Sequence, residues 1–428
     1  LLKMSVLLLS LALGLQSPDQ VTLHLKNGRT VTGELLEETE THYKIRTRGG
    51  VRRYEKAKVE RIERIGAGDA SKRVPADLQK KIDRALDAGV AALEAQLKAK
   101  PPPAAFGAGS QILAKYALFK GCAKPGPESA KLLEEARKEM AAGNAKAGSG
   151  PYIDGVTAMF LSEFDDAESK AALQRIADRI AAAQLKNGSW DYSLAAGARE
   201  SQSDNISTLQ YALLGLQAAL NRGCKVDPQV WERAARYLLD SQEKTSNVTG
   251  EVPLGWGYME LGRKTTPWPD LSVHPYGAMT AVGVASLAMC RSNLDRTHAL
   301  QPRFAPAIRN GVAWLARNFS VDRHPGVKES WVKWGSTDRT FLFYYLYSME
   351  RAGVFASAWK FGPHDWYRLG AEQLISTQKP DGGWDGDVSG KGVTQEPTIV
   401  ATSFAVLFLS RSSEGFIATE PVAPPKKD

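Results

Sequence analysis

Residues 366–387, WYRLGAEQLISTQKPDGGWDGD, and residues 398–412, TIVATSFAVLFLSRS, decide the fold. In the first stretch apolar residues recur three and four apart, as on one face of a helix, and the pattern ends at Gln378 in a Gly/Trp-rich loop. The second stretch is apolar nearly all round, as expected of a helix packed on both sides. The same unit recurs at 175–192 (RIADRIAAAQLKNGSWDY) with 204–220 (DNISTLQYALLGLQAAL). Looser copies stand at 231–261 with 275–290, and at 307–322 with 338–353. Two degenerate units precede them, Leu78–Gln96 with Ser110–Cys122 and Ser129–Met140 with Tyr152–Phe164. The spacing is a repeat of about 55–75 residues, one helix pair per unit.

Helices such as WERAARYLLDS (231–241) carry charge on one face and read as an outer layer. Helices such as TSFAVLFLS (402–410) read as an inner layer. Pairs of this kind predict an (α/α)6 toroid over residues 77–412, with an open solenoid as the alternative. A solenoid must cap its ends with polar repeats, and no terminal repeat of that kind stands out.

Outward from the repeats, residues 21–65 alternate with period two and predict a small five-stranded β-barrel module over 18–65, of SH3-like or Sm-like build. Asn27-Gly28 and Gly49-Gly50 supply its tight turns. The module is basic, yet Tyr43 and Tyr54 are its only aromatic residues. That pattern favours a protein-adapter role or a solvated surface over nucleic-acid binding. A Gly/Ala/Pro linker spans 66–76, and residues 413–428 have the composition of a disordered tail. The apolar run Val6–Leu15 behind Lys3, with Ala12 and Gly14 in a cleavage-site relation, predicts a signal peptide over 1–17 and an exported, periplasmic or secreted protein. Met4 is an alternative start, and no later stretch is long enough to span a membrane. Across all 428 residues, 43% are hydrophobic and 24% charged, which excludes a chain disordered throughout. The net charge of +8 is a mild bias at this length. Cys122, Cys224 and Cys290 form neither a disulfide framework nor a zinc-type CxxC pair, and whether any of them pair stays open.

The segments Gln184-Leu-Lys-Asn-Gly-Ser-Trp190 and Gln378-Lys-Pro-Asp-Gly-Gly-Trp384 resemble the QW repeats of the squalene–hopene cyclase and protein prenyltransferase superfamily. Residues 150–412 are similar to exported bacterial proteins that carry squalene-cyclase-like repeats. The resemblance implies the toroid, with Gln and Trp tying neighbouring helices together. It also implies where chemistry would sit. A cyclase of this superfamily uses an Asp-x-Asp-Asp acid, which is missing here, and the only Asp pair is Asp165-Asp166 in a polar turn. Asp204 opens an inner helix near the position of that acid, but as a lone carboxylate it reads first as a helix cap. The zinc ligands of the prenyltransferases are not found, since Ile206 stands where a Cys would follow Asp204. No metal and no cofactor is therefore expected. Asp204 and Asp338 remain the candidate acids of a diverged enzyme, with Asp154 and Glu396 also near inner-helix starts.

Long outer-to-inner loops (188–203, 245–273, 320–337 and 380–395) alternate with short returns, so a toroid would gather them on one rim. That rim would hold Trp190, Tyr192, Trp256, Tyr258, Trp268, His274, Tyr276, Trp331, Trp334 and Trp384, with Arg199, Arg263, Lys264 and Arg339 as cations. The N-terminal dipole ends of the inner helices would add positive potential there. Two readings follow. The first is a non-catalytic toroid that binds an isoprenoid, lipid, other amphiphile, polymer or protein partner at this rim. The second is a diverged cyclase- or prenyltransferase-type enzyme acting on an isoprenoid. Under the first, the aromatics form an apolar pocket suited to an amphiphile with an anionic head; alternatively they only brace the loops.

Overall fold

The computed structural model describes residues 20–26, 30–47, 50–64, 74–99, 107–122, 125–143, 150–195, 197, 200–201, 203–244, 252–259, 274–332, 335–387, 396–414 and 416–417. The expected signal segment, the Asn27-Gly28 turn, most of the linker and the last residues of the tail lie outside them.

The chain is mainly helical, with a small sheet near its start. The strands are β1 (Gln20–Leu25), β2 (Thr30–Glu38), β3 (His42–Thr47), β4 (Gly50–Glu55) and β5 (Val59–Arg64), in the antiparallel order β4-β3-β2-β1-β5. Alternation puts Val21, Leu23 and Leu25 on one face, where they meet Val31, Tyr43, Ile45 and Val59 in a core of their own. Among the described residues no ladder joins β4 to β5, so the pairing is that of a sheet with two edges.

The described helices come as pairs in which the second is the more buried: α1 (Ala76–Lys98) with α2 (Gly107–Gly121), α3 (Pro127–Ala141) with α4 (Pro151–Leu161), and α5 (Ala167–Ala182) with α6 (Ile206–Asn221). They continue as α7 (Pro228–Ser241) with α8 (Gly277–Asn293), then α9 (Gln301–Arg317), a short α10 (Val327–Ser330), α11 (Leu342–Phe355), and α12 (Trp366–Thr377) with α13 (Thr398–Leu409). Local chemistry sets several starts. Asp166, Asn205, Asp227 and Asp365 each accept a backbone N–H of the first turn, and Pro follows Asp227 at the first helical position.

Burial separates the two layers. On α7 one face is buried (Val230, Trp231, Ala234, Ala235, Leu238), whereas every residue of α13 from Ile399 to Leu409 is buried. Helix α2 packs on α4, α4 on α6, α6 on α8, α8 on α11, α11 on α13, and α13 on α2. Helix α1 also packs on α12 and α13, so the first pair lies against the last. Part of the expected tail belongs to this core. Phe416 stacks on Phe355 with ring centres 6.0 Å apart, and Asn221 donates to its carbonyl at 2.8 Å.

Candidate functional site

Three loops fasten one outer helix to another in the same way. Gln184 donates to the carbonyls of Gly188 (2.9 Å) and Val230 on α7 (3.0 Å), while the Trp190 indole donates to Ile180 on α5 (2.8 Å). Gln378 donates to Gly382 and to Ala85 on α1, both at 2.8 Å, and Trp384 donates to Leu374 on α12 at 2.8 Å. Gln242 donates to Leu254 (3.1 Å) and to Ala307 on α9 (3.0 Å), and Trp256 donates to Leu238 on α7 (2.9 Å). Gly188 and Gly382 hold φ of +92° and +83°. A Cβ on either would stand 2.2 Å from the Arg233 carbonyl or 2.3 Å from that of Ala88, so each position admits only glycine. Trp190, Trp256 and Trp384 are fully buried with their N–H groups spent on these ties. Through these bonds they brace the loops.

The starts of several inner helices carry a second set of rings. Tyr192 is 45% exposed, and its hydroxyl hydrogen-bonds that of Tyr258. Tyr152 lies 6.2 Å from Tyr192 and 5.0 Å from Tyr211, ring centre to ring centre. Trp331 lies 5.2 Å from Tyr258 and 6.1 Å from Phe341. Tyr276 flanks His324, whose ring Nε2 accepts the Ala278 N–H at the start of α8 (2.9 Å) and whose Nδ1 donates to the Thr340 carbonyl (2.7 Å). Burial pushes this imidazole down to about 3, so it is neutral, as the acceptor role requires. His274 and Arg339 are exposed. Trp268, Trp334, Arg199, Arg263 and Lys264 lie outside the described residues.

The carboxylates sort by surroundings. Asp204 is buried and accepts from Asn187 Nδ2 (2.9 Å) and Ser189 Oγ (3.2 Å), which pins the Trp190 loop. The cap of α6 is its neighbour Asn205, which accepts the Thr208 N–H at 2.8 Å; this corrects the reading of Asp204 as the cap. Asp338 is exposed, and its backbone carbonyl accepts the His324 N–H. Asp154 is clamped by Arg179 through Nε (2.8 Å) and Nη2 (2.7 Å), and Asp166 caps α5. Glu396 is different. Its carboxyl meets the first backbone N–H groups of α11, Tyr344 at 3.1 Å and Phe343 at 3.5 Å, and burial raises it to about 8. Among the described residues no cluster of His, Cys, Asp or Glu could hold a metal. None of the three cysteines is in a disulfide.

Deeper in, side chains of α6 and α11 meet although α8 separates these helices in the packing order. Tyr344 shares a hydrogen bond with Ser207 (2.9 Å) and donates to Gln210 Oε1 (3.3 Å). Arg351 Nη2 donates to the same Oε1 and to Ser348 Oγ, both at 3.2 Å. Its guanidinium lies 4.0 Å from the Tyr347 ring centre and 5.9 Å from that of Tyr211. Arg351 and Gln210 are fully buried, yet among the described residues Arg351 Nε and Nη1 and Gln210 Nε2 have no well-formed hydrogen bond. Native interiors satisfy nearly all such groups, so the cluster calls for an explanation. Tyr, Gln, Ser and Arg side chains therefore meet here between α6 and α11. Sequence reading passed over Arg351 and Gln210; the available signal was a charged pair, Glu350-Arg351, inside an otherwise apolar inner helix.

Comparison with known protein families finds no matching family model, and none of the curated proteins is significantly similar to the chain.

Proposed function

We propose that the six helix pairs close into an (α/α)6 toroid of squalene-cyclase-like build. In this reading it takes up an amphiphilic organic ligand at its long-loop rim without cyclising it. Closure is supported by the packing of α13 on α2 and by the bond from Gln378 to Ala85, partners 293 residues apart. The observation that carries the binding role is the run of rings Tyr192–Tyr152–Tyr211 and Tyr258–Trp331–Phe341. Of these rings Tyr192 is exposed and Tyr152 and Phe341 are half-buried, so ring faces and a phenol hydroxyl meet at one edge, the mixed surface an amphiphile matches. We read the protein as exported on the strength of residues 1–17. No described helix is long and apolar enough to cross a membrane. The test is titration with 1-octanol and farnesol, followed by intrinsic tryptophan fluorescence. Saturable binding that weakens at least tenfold in Tyr152→Ala/Tyr192→Ala is expected; binding unchanged in that variant contradicts the reading.

A second reading, a diverged enzyme acting on an isoprenoid, is favoured by Glu396 alone. A carboxyl raised to about 8 holds its proton at neutral pH and could serve as an acid. Incubation with squalene or farnesyl diphosphate, with products read by mass spectrometry, decides it. Turnover lost in Glu396→Gln favours the enzyme, and no product in the wild type discards it.

A further inference from the structure

Every unmet polar atom of the Arg351–Gln210 cluster is a nitrogen that donates, and none is an acceptor. Among the described residues no carboxylate lies within salt-bridge distance of Arg351, which is fully buried. The neighbouring Glu350 turns away to Ser413, taking its N–H at 3.1 Å and its hydroxyl. The Tyr347 ring offers the guanidinium a cation–π contact, which is weaker than the cost of desolvating a charge. What is missing is an acceptor, and beside a cation the favoured acceptor is an anion.

Exposure marks the approach. It falls from 45% at Tyr192, through half-buried Tyr152 and Tyr344, to 0% at Gln210 and Arg351. Tyr344 stands at the boundary, bonded both to Ser207 and to Gln210. We infer that Arg351 and Gln210 form a buried anion-binding site that receives the carboxylate or phosphate oxygens of a small organic ligand entering past Tyr192, Tyr152 and Tyr344. The inference rests on the proposed binding role and names the head group that the interior accepts. A wholly apolar isoprenoid would leave these donors unmet; an acid of similar length would not.

Calorimetric titration of the full chain with matched probes tests it: octanoate against 1-octanol, glucuronate against glucose, and inorganic phosphate alone. The expected result is that at least one anion binds the wild type tenfold or more tighter than its neutral counterpart, or, for phosphate, binds measurably. Arg351→Met should remove that preference and leave the affinity of the neutral probe unchanged. Gln210→Leu should weaken the anion severalfold, and it carries the test if Arg351→Met fails to fold. The carboxylate and phosphate arms separate the two head-group chemistries. Equal affinity for octanoate and octanol, with glucuronate and phosphate silent, overturns the anion site while leaving the amphiphile reading intact. An anion preference that survives in Arg351→Met overturns it too, since the anion is then held elsewhere. Silence from every probe overturns both.

Discussion

Two buried glutamines show what separates the frame of this molecule from its interior. Gln184 spends its amide N–H groups on two carbonyls, one in its own loop and one on α7, and Trp190 beside it is equally spent. Gln210 is just as buried, but its carbonyl collects Tyr344 and Arg351 while its N–H groups find no partner among the described residues. The first arrangement is complete in itself, as a structural tie should be. The second is complete only if something else arrives. Polar satisfaction thus distinguishes two sites that burial alone would treat alike.

The contrast can be broken most forcefully at the tie. Trp384→Ala removes a fully buried indole packed on Gly89 and should cost about 3–5 kcal/mol in urea unfolding. A loss below about 1 kcal/mol would mean that the loop is not fastened there. Gln378→Leu keeps the volume but strips donors from the Ala85 and Gly382 carbonyls, and about 2 kcal/mol should be lost on the same measurement. If the variant unfolds like the wild type, those carbonyls have other partners and the tie between the last and first pairs is incidental.

A third test uses pH. Glu396 is raised to about 8 by burial, whereas in the unfolded chain it titrates near the ordinary glutamate value. Between these values the folded state holds a proton that the unfolded state has released. Stability therefore falls as pH rises through this window, by up to about 1.4 kcal/mol per pH unit, and the loss ends above the folded value. Glu350, raised to about 7, acts in the same direction. Thermal melts from pH 5 to 8 should show a shallower decline in Glu396→Gln than in the wild type, and parallel curves would refute the assignment.

The sequence disclosed the tie where its spacing is short. Gln184 and Trp190, like Gln378 and Trp384, are close enough to be seen as one motif. Gln242 and Trp256 make the same bonds, but a longer loop parts them, so Trp256 read as a rim aromatic. The strands were equally legible, because period-two alternation and turn residues are local signals. The Arg351–Gln210 pairing was not, since its members lie 141 residues apart and meet only when α6 and α11 face each other. Asp204 and Asn205 illustrate a finer limit. Both are good caps by type, and only the chain path decides which one turns toward Thr208.

The smallest effect on stability is the most telling. If the Arg351 cluster is built to receive a ligand, its few partners, two hydrogen bonds from Nη2 and the Tyr347 ring, only offset the cost of burying the charge in the empty protein. Urea unfolding of Arg351→Met without ligand should then fall within about 1 kcal/mol of the wild type or above it. A loss of about 3–5 kcal/mol, the cost of breaking a satisfied buried pair, would show that the guanidinium is already partnered and would contradict the account.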